Sequence, residues 1–88
     1  MTFALGQVVI TRPALSYAEQ HEVDVLALIA RHHARDWGDL GPQDKALNDA
    51  ALVHGDRIFS AYDVAGERWY VITEHDRSYT TVMLSGDY

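Results

Sequence analysis

From Arg57 onward the period of the hydrophobic pattern in these 88 residues changes to two, and that change constrains the fold more than any motif does. Beyond it, residues 58–62, 69–73 and 79–84 are aromatic and β-branched runs, separated by 63–67 and 74–78. Connections this short make neighbouring strands antiparallel, so the second half predicts a β-meander. Before it, Val25, Leu28, Ile29 and His32 recur at helical spacing and form one stripe. A helical half followed by a strand half predicts one α+β domain over residues 1–88. In it, two or three N-terminal helices pack on one face of a three- to four-stranded antiparallel sheet.

The remaining elements follow from local chemistry. Residues 7–11 are β-branched and end at Arg12-Pro13; proline cannot donate to a ladder, which suggests a short edge strand stopping there. Ser16-Tyr17-Ala18-Glu19 has the form of a capping box, within a short helix near 14–20. Asp24 is placed to cap a second helix running to about Asp36. Residues 37–42 read as a loop. A third helix is expected from Pro42 to about Val53, with Leu47, Ala50 and Ala51 inward and Gly55 ending it. In the meander, Phe59, Ala61, Tyr70, Ile72, Val82 and Leu84 are assigned to the helices; Tyr62, Trp69, Thr73, Tyr79 and Thr81 are assigned to the other face.

Size and charge narrow the functional classes. A chain this short supports one core and no second domain. It has no cysteine, which favours a reducing compartment and a cytoplasmic protein, with either a sufficient core or dimerisation as its source of stability. No basic residue precedes the apolar start Met1-Thr2-Phe3-Ala4-Leu5, and no run is long enough for a membrane span, so neither export nor insertion is expected. Thirteen acids against seven bases give a net charge of -6, which disfavours direct nucleic-acid binding.

Candidate chemistry is sparse. His32 and Asp36, at i and i+4, make half a metal site with His33 beside them; His21, His54 and His75 lie in other segments, so no metal or cofactor is expected. His75, Asp76, Arg77 and Ser78, with Arg57 and Arg68 on neighbouring strands, could surround a scissile phosphate as in small ribonuclease toxins of the barnase and RelE kind; the acid excess opposes that reading. Trp37, Tyr62, Trp69, Tyr70 and Tyr79 exceed what so small a core absorbs, and Tyr62, Trp69 and Tyr79 on the outward sheet face would anchor an interface. Asp24, Asp36, Asp39, Asp44, Asp49 and Asp56 come from the helices and adjoining loops, where they could imitate a row of phosphates.

Gly6-Gln7-Val8-Val9, Arg31-His32, Asp36-Trp37-Gly38-Asp39-Leu40, Asp44 with Asn48, Gly55 with Arg57, Ser60-Ala61-Tyr62, Ile72-Thr73-Glu74 and Asp76-Arg77-Ser78 together form a pattern that spans nearly the whole chain. It resembles the short plasmid-related proteins of proteobacterial plasmids, integrative elements and prophages. It departs from them at residues 33–35, where they carry small residues and a glycine, and at Ser85-Gly86-Asp87-Tyr88, where they tend to end Pro-Glu-Glu-Tyr. The resemblance implies a habitat of mobile DNA and assigns no activity to any residue. With the acid excess and the spare aromatics, it suggests a non-enzymatic accessory protein that binds a host protein stoichiometrically, in its sharpest form an anti-CRISPR or other anti-defence inhibitor. The expected contacts are Asp36, Trp37 and Asp39 in one loop and Glu74, Asp76 and Arg77 in a turn, with Tyr62, Trp69 and Tyr79 on the sheet. The partner would be a nucleic-acid-handling complex.

Overall fold

A computed structural model describes residues 3–88; Met1 and Thr2, at the start of the stretch read for a leader, lie outside the described residues. In chain order the elements are β1 (Gln7–Ile10), α1 (Arg12–His21), α2 (Val25–His33), α3 (Pro42–His54), β2 (Ile58–Val64), β3 (Glu67–Thr73) and β4 (Tyr79–Leu84), closed by a 3-10 turn over Ser85–Asp87. The architecture is α+β, with helices before the meander as the period change requires. No helix among the described residues is long and apolar enough to cross a membrane.

The sheet order is β1-β4-β3-β2. β2, β3 and β4 form the antiparallel meander, whereas β1 lies parallel to β4, with Gln7 opposite Tyr79 and Ile10 opposite Val82. The sheet is therefore mixed, which corrects the all-antiparallel expectation. β1 and β4 are separated by three helices and two strands, so no hairpin dictates their direction.

Helix limits follow side-chain and backbone caps. Thr11, not Ser16, caps α1: its hydroxyl accepts from the Ala14 N–H at 3.4 Å, and Pro13 falls in the first turn. Asp24 caps α2 as expected, accepting from the Ala27 N–H at 3.1 Å. α2 ends at His33 rather than Asp36 because the chain turns into a Schellman motif: Asp36 N–H donates to the Arg31 carbonyl at 2.9 Å and Arg35 N–H to His32 at 3.1 Å. Arg35 holds the left-handed position, at φ 66°. Gly55 ends α3 in the same conformation.

The phase of β2 and β3 is the reverse of that expected. Tyr62, Trp69 and Val71 face α1 and α2, and with Ala14, Ala18, Leu28 and Val82 they form the main core. Tyr62 and Trp69, assigned outward on sequence, are fully buried. Both parities of these strands carry apolar residues, so alternation alone cannot choose between them. The small Ala14 and Ala18 leave room for two large rings, and His32 supplies partners for the polar residues that share their face. A second cluster joins Phe3, Trp37, Ala51 and Ile58. The opposite sheet face carries Phe59 and Tyr70, whose rings lie 4.7 Å apart, and Tyr88 packs edge-on to both.

Candidate functional site

The β2 edge determines what the loop after α2 does. Asn48 on α3 bonds the Phe59 backbone twice, accepting from its N–H at 3.0 Å and donating to its carbonyl at 2.8 Å. Two residues on, Ala61 donates to the Trp37 carbonyl at 3.2 Å and accepts from the Asp39 N–H at 2.7 Å. Next, the Asp39 carboxylate accepts from the Asp63 N–H at 2.8 Å. A side chain, a backbone bridge and a second side chain thus finish three successive outward positions of an edge strand. The bridge passes so close that a Cβ on Gly38 would lie 2.0 Å from the Ala61 carbonyl oxygen, and Gly38 has φ 80°.

This assignment explains the loop residues expected to contact a partner. Trp37 is 4% exposed, and its indole N–H donates to Asp49 at 3.0 Å. Asp36 pairs with Arg31 at 2.7 Å; that bond is the chief reason its carboxyl sits below the ordinary value and the Arg31 guanidinium above it. Arg31 also lies 4.5 Å above the Tyr62 ring, while burial pushes the Tyr62 phenol up to about 12, so it stays a neutral donor to the Asp36 carbonyl. Of the six aspartates expected to form a charged face, Asp24, Asp36, Asp39 and Asp49 each make a structural hydrogen bond.

Behind the loop lies a chain of buried polar groups. Thr80 donates to the Leu5 carbonyl at 2.7 Å, so the Thr73 hydroxyl, 2.7 Å away, donates to Thr80. Thr73 must then accept from His32 Nε2 at 2.8 Å, which fixes the tautomer and leaves Nδ1 to accept from the Ser60 hydroxyl at 2.6 Å. His32, Ser60, Thr73 and Thr80 are all fully buried. The Ser–His contact has the geometry of an activated nucleophile, yet no substrate can reach it. Burial, with His33 adding to it, lowers the His32 imidazole to about 4. The half metal site is therefore taken apart: both nitrogens of His32 are occupied, His33 bonds the Phe3 carbonyl at 2.9 Å, and Asp36 binds Arg31. Among the described residues no group of three metal-ligating side chains is assembled.

The open concavity lies between α3 and the outer sheet face. It encloses about 500 Å³ above Phe59 and Tyr70, with Leu47 and Leu40 on the helical side and Asp44, Asp56, Arg57 and Arg68 at its margins. Arg68 is held by Asp63 at 3.0 and 3.1 Å and by the Asp39 carbonyl at 2.9 Å. Arg57 donates to the Tyr88 hydroxyl at 2.7 Å and has no carboxylate partner among the described residues. Leu47, expected inward, is 63% exposed and walls the groove, while Asn48 takes the buried position. Ala50 is exposed as well, and only Ala51 of that trio is inward. The helix is rotated because the unpaired Phe59 backbone requires a carboxamide, which a leucine cannot supply.

The other expected contacts are dispersed. Arg77, at φ 61°, donates to the carbonyls of Asp56 at 2.6 Å, Glu74 at 3.0 Å, His75 at 3.3 Å and Ala51 at 3.1 Å, which ties the 74–78 turn to the C-terminal end of α3. Asp76 is exposed, and its bonds to the Ser78 hydroxyl and N–H hold its carboxyl below the ordinary value. Glu74 is half-buried, and Tyr79 is 43% exposed beside β1. The structure thus sets the 36–40 loop and the 74–78 turn at the two ends of α3, with the groove between them. The groove residues Leu47, Phe59 and Tyr70 were all assigned inward on sequence, although Tyr70 also stood among the surplus aromatics; for Leu47 the available signal was that Leu47, Leu52 and Val53 form no stripe on α3. Comparison with family models, with curated proteins and with solved structures finds no match to this chain.

Proposed function

We propose that the protein acts by stoichiometric protein binding and that the groove beside α3 receives the partner. The observation that carries this reading is Leu47, 63% exposed over an aromatic floor of Phe59 and Tyr70, with Asp44, Asp56 and Arg57 around it. Apolar anchors within a charged rim are the make-up of interface hot spots. The fitting ligand is a protein segment that presents an apolar side chain between charges of both signs.

Binding is supported over turnover by how the reactive groups are engaged. Arg77 is spent on four carbonyls, Arg68 on Asp63, and His32 on two hydroxyls. The ribonuclease alternative would need several of these free to hold a phosphate. The resemblance to plasmid-related proteins and the net charge of -6 support a cytoplasmic partner that handles nucleic acid, as an anti-CRISPR or other anti-defence inhibitor would require.

The test is affinity capture from bacterial lysates with the wild-type chain and Leu47→Asp. A stoichiometric partner retained by the first and lost by the second is expected. A partner held equally by both would remove the groove from the reading, and a clean bait would remove the binding function. Growth arrest on expression, relieved by His75→Ala, would favour the ribonuclease.

A further inference from the structure

The two edges of the sheet are finished differently. On β2 the outward groups at Phe59, Ala61 and Asp63 are met by Asn48 and the 37–39 segment. On β1, Gln7 N–H donates to the Ser78 carbonyl at 3.0 Å and Thr11 N–H to Val82 at 3.1 Å, so residues 7, 9 and 11 turn their backbone groups toward β4. Strand alternation then aims the N–H and C=O of Val8 and Ile10 away from the sheet. No hydrogen bond among the described residues ends on those four groups. β1 carries no charge and no proline, the usual protections of an edge, and Val8 and Val9 are 43% and 38% exposed.

We propose that β1 pairs antiparallel with β1 of a second copy of this chain, about a two-fold axis at Val9. In that register Val8 of each copy exchanges both bonds with Ile10 of the other, so four hydrogen bonds satisfy every outward group on both edges. Val9 faces Val9 of the second copy as a non-hydrogen-bonded pair, burying two exposed valines against each other. A centre moved to Val8 would pair Val8 with itself and Ile10 with Gly6, and would take β1 past the end of its own ladder.

Charge selects the same occupant. The register sets Arg12 of one copy opposite Gly6 of the other. Gly6 lies against the Ser78 carbonyl, close enough that a Cβ would stand 2.3 Å from its oxygen, so Arg12 arrives at the turn bearing the exposed Asp76. Symmetry forms this complementary pair twice. The eight-stranded sheet that results is independent of the groove reading, because each groove lies beside β2, at the far ends. The two β2 strands would stand seven strand spacings apart, about 34 Å, which presents the grooves as a bivalent pair.

The test uses the full chain, which has no cysteine of its own. Sedimentation from low-micromolar to sub-millimolar concentration is expected to show a monomer–dimer equilibrium, and Val9→Lys, which sets two ammonium groups face to face on the axis, should shift it to monomer. Val9→Cys should oxidise to a covalent dimer at least about tenfold faster than Leu26→Cys, because a non-hydrogen-bonded antiparallel pair lies within disulfide reach. Leu26, at 77% exposure on α2, reports random collision. A wild-type chain that stays monomeric throughout, or a dimer that Val9→Lys leaves intact, overturns the proposal. If Val9→Lys proves unfolded by circular dichroism, equal oxidation rates for the two cysteine variants overturn it.

Discussion

The carboxamide of Asn48 pairs with the backbone of Phe59 as a neighbouring strand would, donating to its carbonyl at 2.8 Å and accepting from its N–H at 3.0 Å. A helix side chain thereby closes a sheet edge and sets the rotation of α3, which in turn holds Leu47 over the groove.

Replacing Asn48 tests that linkage. Asn48→Leu has similar bulk but leaves the Phe59 N–H and carbonyl unpaired, and a loss of about 2 kcal/mol is expected in urea unfolding. Asn48→Asp keeps the acceptor, loses the donor and sets a carboxylate against a carbonyl, so it should destabilise as well. A cost within error for both would mean that water replaces the carboxamide.

The buried imidazole predicts a pH dependence with a definite sign. Folding lowers His32 from 6.5 to about 4, so between those values the unfolded chain binds a proton that the folded chain does not. Stability should be full above about pH 6.5, fall as the pH drops through the window by roughly 3 kcal/mol in total, and level off for this group below about pH 4. Asp36 acts lower: its carboxyl is held below 3.8, so its contribution is present above that value and is lost as the pH falls beneath it. His32→Gln should remove most of the slope between pH 6.5 and 4. Parallel denaturation profiles for wild type and variant across that interval would refute the assignment.

Arg35 occupies the left-handed position of the Schellman turn, at φ 66°, where an L-residue other than glycine is strained. Arg35→Gly is expected to raise stability by about 1 kcal/mol, readable as a higher denaturation midpoint with an unchanged slope. A lower midpoint would show that the Arg35 side chain contributes more than the strain costs.

Leu47→Asp should separate stability from binding. At 63% exposure the side chain has little burial to lose, so the unfolding midpoint should stay within about 0.5 kcal/mol of wild type. Affinity for a groove-bound partner should fall at least about tenfold, as expected for a lost anchor. Strong destabilisation would place Leu47 in the core and remove it from the site.

The period change at Arg57 and the caps at Asp24 and Gly55 were legible because each rests on interactions between residues near in sequence, and the edge position of β1 because Pro13, which cannot donate to a ladder, follows it closely. The site was less legible. Asp36, Trp37 and Asp39 stood out as residues with a task, but their backbone groups and the Asp39 carboxylate are engaged by β2, 22 or more positions away in the chain. Nothing local in Ser60, Thr73 and Thr80 says that they face inward, since a polar residue on a strand becomes a core residue only when a partner such as His32 descends to meet it.

What the sequence by itself determined is the order and kind of elements, because helix and strand periods and backbone caps are short-range properties of the chain. What only the tertiary structure decided is the facing of β2 and β3, the parallel docking of β1 on β4, and the turning of α3 that exposes Leu47. Those choices depend on which unpaired backbone groups and which cavities distant segments offer one another, and no local pattern encodes them.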